Sequence, residues 1–262
     1  MIGKLIKHEF LATSSFLFPA YAGAIIFALL NRWMLVPTDL ETGGVFDAAL
    51  HSLLALLYTV SVFTVLLLTV AQIVRRFYSN VLGVEGYVTH TLPLTLDGLI
   101  FGKLIPASAW TLVGLLVIGV SAQIMPPGSG VVEFFPFDLE LLFTFFRHEG
   151  IILVLSIATG IATLCMTILS IYSALTIGHL MRKGRLLWAI LIFMGMGFGL
   201  SSLFMTVLTI VSQIGPITHI LAEGGTAAET VAFTTVLIGT VLQVIAHYAI
   251  TRGLLRHRLN LP

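Results

Sequence analysis

Charge is what this chain has least of: Asp, Glu, Lys and Arg together make up 10% of its 262 residues, against 58% hydrophobic residues. That balance lies well outside soluble usage and makes lipid the solvent in which the chain folds. Cysteine is nearly missing too. Cys165 stands alone, which excludes an intrachain disulfide and a thiolate metal cluster. The eight histidines, His8, His51, His90, His148, His179, His219, His247 and His257, form neither HExxH nor a tight His/Asp cluster, so no metal site is expected. There is no GxSxG nucleophile elbow. The nearest approach to a phosphate loop, "GLIFGKL", has one residue too few between its glycines and puts Leu104 where a magnesium-binding Ser or Thr belongs. No catalytic site and no cofactor are therefore expected in this chain. Carboxylates are also missing from the middle of every apolar run, although an ion-coupled carrier usually needs them there. A net charge of +1 decides nothing about nucleic acid, and no nucleic-acid partner is expected.

What is present is apolar length. Six segments reach the roughly 20 helical residues needed to cross a hydrocarbon core: 14–34, 48–74, 104–125, 150–177, 186–212 and 227–250. The expected fold class is an all-α membrane protein, a single domain over 1–262. No internal repeat, low-complexity tract or soluble domain interrupts it. Two lysines before the first apolar run imitate a secretory signal, but no small-residue cleavage site follows, and the run is expected to stay as a helix.

Orientation follows from the cations. Lys4 and Lys7 precede the first span, Arg75, Arg76 and Lys103 separate the second from the third, Arg182, Lys183 and Arg185 the fourth from the fifth, and Arg252, Arg256 and Arg258 follow the sixth. Only Arg32 and Arg147 fall on the other side, so both termini are expected in the cytoplasm. The segment 81–94 between spans two and three is then cytoplasmic.

Polar residues inside the spans recur at helical spacing. One stripe joins Ser156, Thr159, Thr163, Thr167 and Ser170, a second Ser202, Thr206, Thr209 and Gln213, and a third Thr240, Gln243, His247 and Thr251. Each can line a polar path or pack helices together, and hydroxyls that bond their own backbone one turn earlier favour packing. Gly195 and Gly199 add a GxxxG spacing to span five.

The N-terminal residues 1–12 read as an amphipathic interfacial helix, with Ile2, Leu5, Ile6 and Phe10 on one face and Lys4, Lys7 and His8 on the other. Glu9 falls among the apolar residues; it either snorkels outward at a frayed end or meets a partner group, interfacial or intersubunit. On the outer side, the aromatic run from Phe134 to Phe146 suits an interfacial anchor.

The segment "VLGVEGYVTHTLPLTLDGLIFGK" is the chain's most distinctive stretch. Gly83 and Gly86 imply a turn with close backbone approach. Pro93 keeps Leu92 extended, Thr95 can cap a helix beginning near Leu96, and Asp97 suits that helix's first turn. Tyr87, Val88 and Leu92 offer apolar area and Glu85 a charge, a combination that suits a protein contact.

"KLIKHEF" before span one, with "GVEGYVTHTLP" after span two, resembles the permease subunits of ATP-binding-cassette type 2 exporters of Gram-positive bacteria. Val84 stands where such proteins often carry an acidic residue. The resemblance implies a multi-pass permease of a bacterial cell membrane that pairs with a second permease, identical or paralogous, and with two cytoplasmic ATPase subunits that hold ATP and magnesium. It makes 81–94 a coupling segment in which Gly83, Glu85, Gly86, Tyr87, Thr91, Leu92 and Pro93 contact the ATPase. The expected function is export of a hydrophobic or amphipathic substrate such as a peptide, lipid or drug. Two other readings stay open: an ion-coupled carrier centred on Gln243 and His247, and a membrane scaffold without transport.

Overall fold

The computed structural model describes residues 2–34, 45–83, 95–125 and 150–257. The other segments, among them most of the coupling segment and the aromatic run, lie outside the described residues. Within those residues the chain is helical, without a strand: α1 (Ile2–Met34), α2 (Val45–Phe77), α3 (Leu96–Ile124), α4 (Gly150–His179), α5 (Arg185–Ser212), α6 (Gly215–Glu223) and α7 (Gly225–His257). All but α6 are long and apolar enough to cross a membrane.

The observed helices overrun the expected spans at their ends. α1 is one continuous helix of 33 residues with Pro19 inside it, about 50 Å long at the usual rise, so no break separates residues 2–12, expected as an interfacial helix, from the span that follows. α3 starts at Leu96, where the Thr95 cap was expected and ahead of the apolar span at 104, and α7 continues to His257 rather than 250. Apolar counting finds only the part that matches a hydrocarbon core, whereas capping and tertiary contacts decide where a helix stops. α6 had no apolar signature of its own; Pro216 at the start of its first turn suits a helix N-terminus.

The chain divides into two compact units, one comprising Met1–Gly3, Ile73–Ser108 and Arg147–Pro262, the other Lys4–Gln72 and Ala109–Phe146. The second unit is built around Leu17, Tyr21, Ala24 and Ala28 of α1, Tyr58, Val62 and Val65 of α2, and Trp110 and Ile118 of α3. Ala24 and Ala28, one turn apart and fully covered, let helix backbones approach closely. Every polar group in such a core needs a partner, because lipid supplies none. The Tyr21 hydroxyl accordingly donates to the Trp110 carbonyl at 2.9 Å. Tyr58 meets Ser121 at 3.0 Å, and the Asn31 amide reaches the Leu54 carbonyl at 3.0 Å.

In the first unit α4 packs along α7 and turns back into α5. Gly178 makes that return tight: a Cβ there would lie 2.7 Å from the Arg185 carbonyl oxygen and 2.8 Å from the Ala189 Cβ. α5 itself contributes little to the interior, with Ala189 its one buried residue. Cβ atoms added at Gly195 and Gly199 would meet nothing within 4 Å, so the GxxxG face packs on none of the described residues.

Candidate functional site

The segment that the sequence singles out is bounded on both sides by built structure, and both boundaries belong to the first unit. On the entry side α2 widens into a π-turn, Tyr78–Leu82, a feature that often accompanies function. Phe77 stacks on Tyr172 of α4 with ring centres 3.9 Å apart and planes 11° apart. Both rings are buried. Tyr78 presents its edge to His179 at 6.1 Å, and Val81 and Leu82 are fully covered. The turn ends at Gly83, where a Cβ would lie 2.9 Å from the Ser79 carbonyl oxygen and 3.2 Å from that of Tyr78. This is the close backbone approach the sequence implied. Gly83→Ala should force the turn to unwind, at a cost of about 1–3 kcal/mol, measured as a lower unfolding temperature in detergent.

On the exit side the predicted cap is in place. Thr95 Oγ1 accepts the Gly98 amide at 3.1 Å, and the Thr95 carbonyl accepts the Leu99 amide at 3.0 Å. Asp97 follows in the first turn of α3, where the helix dipole favours a carboxylate. Its Oδ1 accepts the Tyr248 hydroxyl at 2.6 Å and Arg252 Nε at 2.7 Å, while Oδ2 accepts Arg252 Nη2 at 3.2 Å. Phe101 stacks on the Tyr248 ring at 5.6 Å. Local sequence announces Thr95 and Asp97, but it gives no sign of Tyr248 or Arg252, which lie 151 and 155 residues away.

His247, within the last span, is 2% exposed. Its Nδ1 lies 2.9 Å from Ser173 Oγ of α4, and Ser173 donates to the Ser170 carbonyl at 2.9 Å. With the one hydroxyl proton spent there, the Nδ1–H tautomer completes the contact. Thr251 caps the His247 carbonyl at 2.8 Å, Thr240 bonds the Val236 carbonyl at 2.8 Å, and Gln243 is half-buried. The third stripe thus includes a helix-to-helix hydrogen bond. Ser173→Ala leaves a buried imidazole without its partner and should lower stability by about 1 kcal/mol, read by thermal unfolding.

The threonines of the other two stripes are spent locally. Thr163 donates to the Thr159 carbonyl, Thr167 to Thr163, Thr206 to Ser202 and Thr209 to Met205, all within 2.9 Å, and all four side chains are exposed. Thr209 also borders a cavity of about 310 Å³ between α5, α6 and α7, together with Ser212, Ile217, Val231 and Thr235. Ser212 and Thr235 likewise donate to their own helices, so this space, at the small end of ligand pockets, presents an apolar wall.

Glu9 is 7% exposed and sits inside the continuous α1, with Thr13 donating to its carbonyl at 2.8 Å. It does not point outward from a frayed end. Glu85, Gly86, Tyr87, Thr91, Leu92 and Pro93 lie outside the described residues. Among the described residues, no cluster of His, Cys, Asp and Glu could hold a metal ion. Comparison of the chain with protein-family models, with curated proteins and with solved structures returns no match.

Proposed function

We propose that this chain is the membrane-spanning permease subunit of an ATP-binding-cassette exporter, whose coupling segment, 81–94, contacts a separate ATPase through Gly83 to Pro93. One observation carries the reading. The segment spelling "GVEGYVTHTLP" is flanked by two anchored feet, the π-turn seated on α4 and the Thr95 cap with Asp97 tied to α7. A segment that must take force from another protein needs rigid attachment at both ends. Six membrane-length helices and a sequence without a phosphate loop support a division of labour in which ATP and magnesium bind the partner.

In this reading the chain sits in a bacterial cell membrane with both termini cytoplasmic, residues 1–12 rest at the interface, and a second permease, identical or paralogous, completes the path. The substrate is hydrophobic or amphipathic. The apolar cavity beside Thr209 suits that class, since it offers no spare hydrogen-bond donor.

Proteoliposomes separate this reading from an ion-coupled carrier. The chain reconstituted with an ATP-binding-cassette ATPase from the same genome should move a fluorescent amphipathic peptide or lipid only when ATP is supplied. Flux driven by a proton or sodium gradient through the chain alone would overturn the proposal in favour of a carrier.

A further inference from the structure

Force applied to the segment 84–94 has one short route into the first unit on its exit side. Residue 94 is followed at once by the Thr95 cap, and Asp97 lies within the first turn that this cap closes. The Asp97 carboxylate takes three donors from α7: the Tyr248 hydroxyl and both prongs of the Arg252 fork. Tyr248 and Arg252 are four residues apart and so share one face of α7 on successive turns. A bidentate fork fixes direction as well as distance, and a second donor one turn away resists rotation of α7 about its axis. α7 carries no proline in its 33 residues, so it can move as a rod. Next to Tyr248, His247 is bonded to Ser173 of α4.

We infer that Asp97 is a positioning residue, and that with Tyr248 and Arg252 it forms a joint that passes displacement of the 84–94 segment into α7 and on to α4. This rests on the proposed function in one respect only, the ATPase as the source of the displacement. The joint is unlike the stacked Phe77–Tyr172 seat. Its ion-pair side chains are 48% and 40% exposed, and an ion pair so open to solvent adds little to stability. Its loss therefore removes transmission without removing the fold.

The test uses the full chain in a Cys165→Ala background, co-expressed with that ATPase, with spin labels at the exposed positions Arg256 on α7 and Ile190 on α5. ATP with vanadate should shift the label-to-label distance in the otherwise native complex. With Asp97→Asn the ATPase should still co-purify and hydrolyse ATP while the shift is lost, and Asp97→Glu should restore it. A full shift in Asp97→Asn overturns the joint.

Failure of the ATPase to associate with the native chain overturns the proposed function, and the joint is then decided on the chain alone by amide exchange. Asp97→Asn and Arg252→Gln should each speed exchange in the first turns of α3 and the last turns of α7 by about threefold, the scale of a half-exposed ion pair. The double variant should add nothing. A response confined to the helix that carries the substitution contradicts the joint whatever the ATPase does.

Discussion

Replacing Phe77 with alanine should lower the stability of the chain by about 3 kcal/mol, the lower end of the range for removing a buried ring. The lower end applies because lipid tails are as apolar as the ring, so the loss is one of packing rather than of transfer from water. Phe77 and Tyr172 are each 1% exposed, and their rings lie nearly parallel at 3.9 Å. The cavity therefore opens in the seat of the π-turn that leads to Gly83. Tyr172→Ala should cost a similar amount, and the double variant should cost less than the sum, because the two rings share one contact. Unfolding in detergent followed by intrinsic fluorescence measures all three. Additive losses would show that each ring is held by separate neighbours.

Exchanging Glu85 for lysine and Tyr87 for alanine together should reduce the ATPase retained on the purified chain by about tenfold or more. Truncating one buried aromatic anchor in an interface typically costs more than 1.4 kcal/mol, which is one decade in affinity. The charge reversal adds a repulsive element against the same partner. Trp33→Ala, at a side chain 79% exposed in the last turn of α1, is the control and should leave retention unchanged. Thermal stability of the double variant should match the native chain, since Phe77, Tyr172 and Asp97 are all retained. Equal retention in native and double variant would remove Glu85 and Tyr87 from the contact.

Much of the framework was legible because it follows local rules. Apolar length announced six crossings, and among the described residues six helices meet that standard. Thr95 and Asp97 were readable because a cap and a first-turn carboxylate are local features. Gly83 was readable because paired glycines, here Gly83 and Gly86, signal close backbone approach, and the structure has that approach at Gly83. The hydroxyl stripes behaved as self-satisfied groups, which short-range geometry already allowed.

What escaped was long-range pairing. Nothing near Asp97 names Arg252 or Tyr248, and nothing near His247 names Ser173, because each pair is joined only by the packing of helices distant in sequence. Glu9 shows the same limit from the other side. Its place on the apolar face was visible, but whether it is covered depends on tertiary packing, and the structure covers it. α6 escaped because 9 residues carry too little periodic signal to separate a helix from a loop.

The central claim is that an ATPase docks on the segment between α2 and α3. A photoreactive phenylalanine analogue placed at Tyr87, in cells co-expressing an ATP-binding-cassette ATPase from the same genome, tests it most directly, with the same analogue at Trp33 as the comparison. Irradiation should join the Tyr87 position to the ATPase and leave the Trp33 position unjoined. An ATPase that never crosslinks to position 87 while the two proteins still co-purify would contradict the claim.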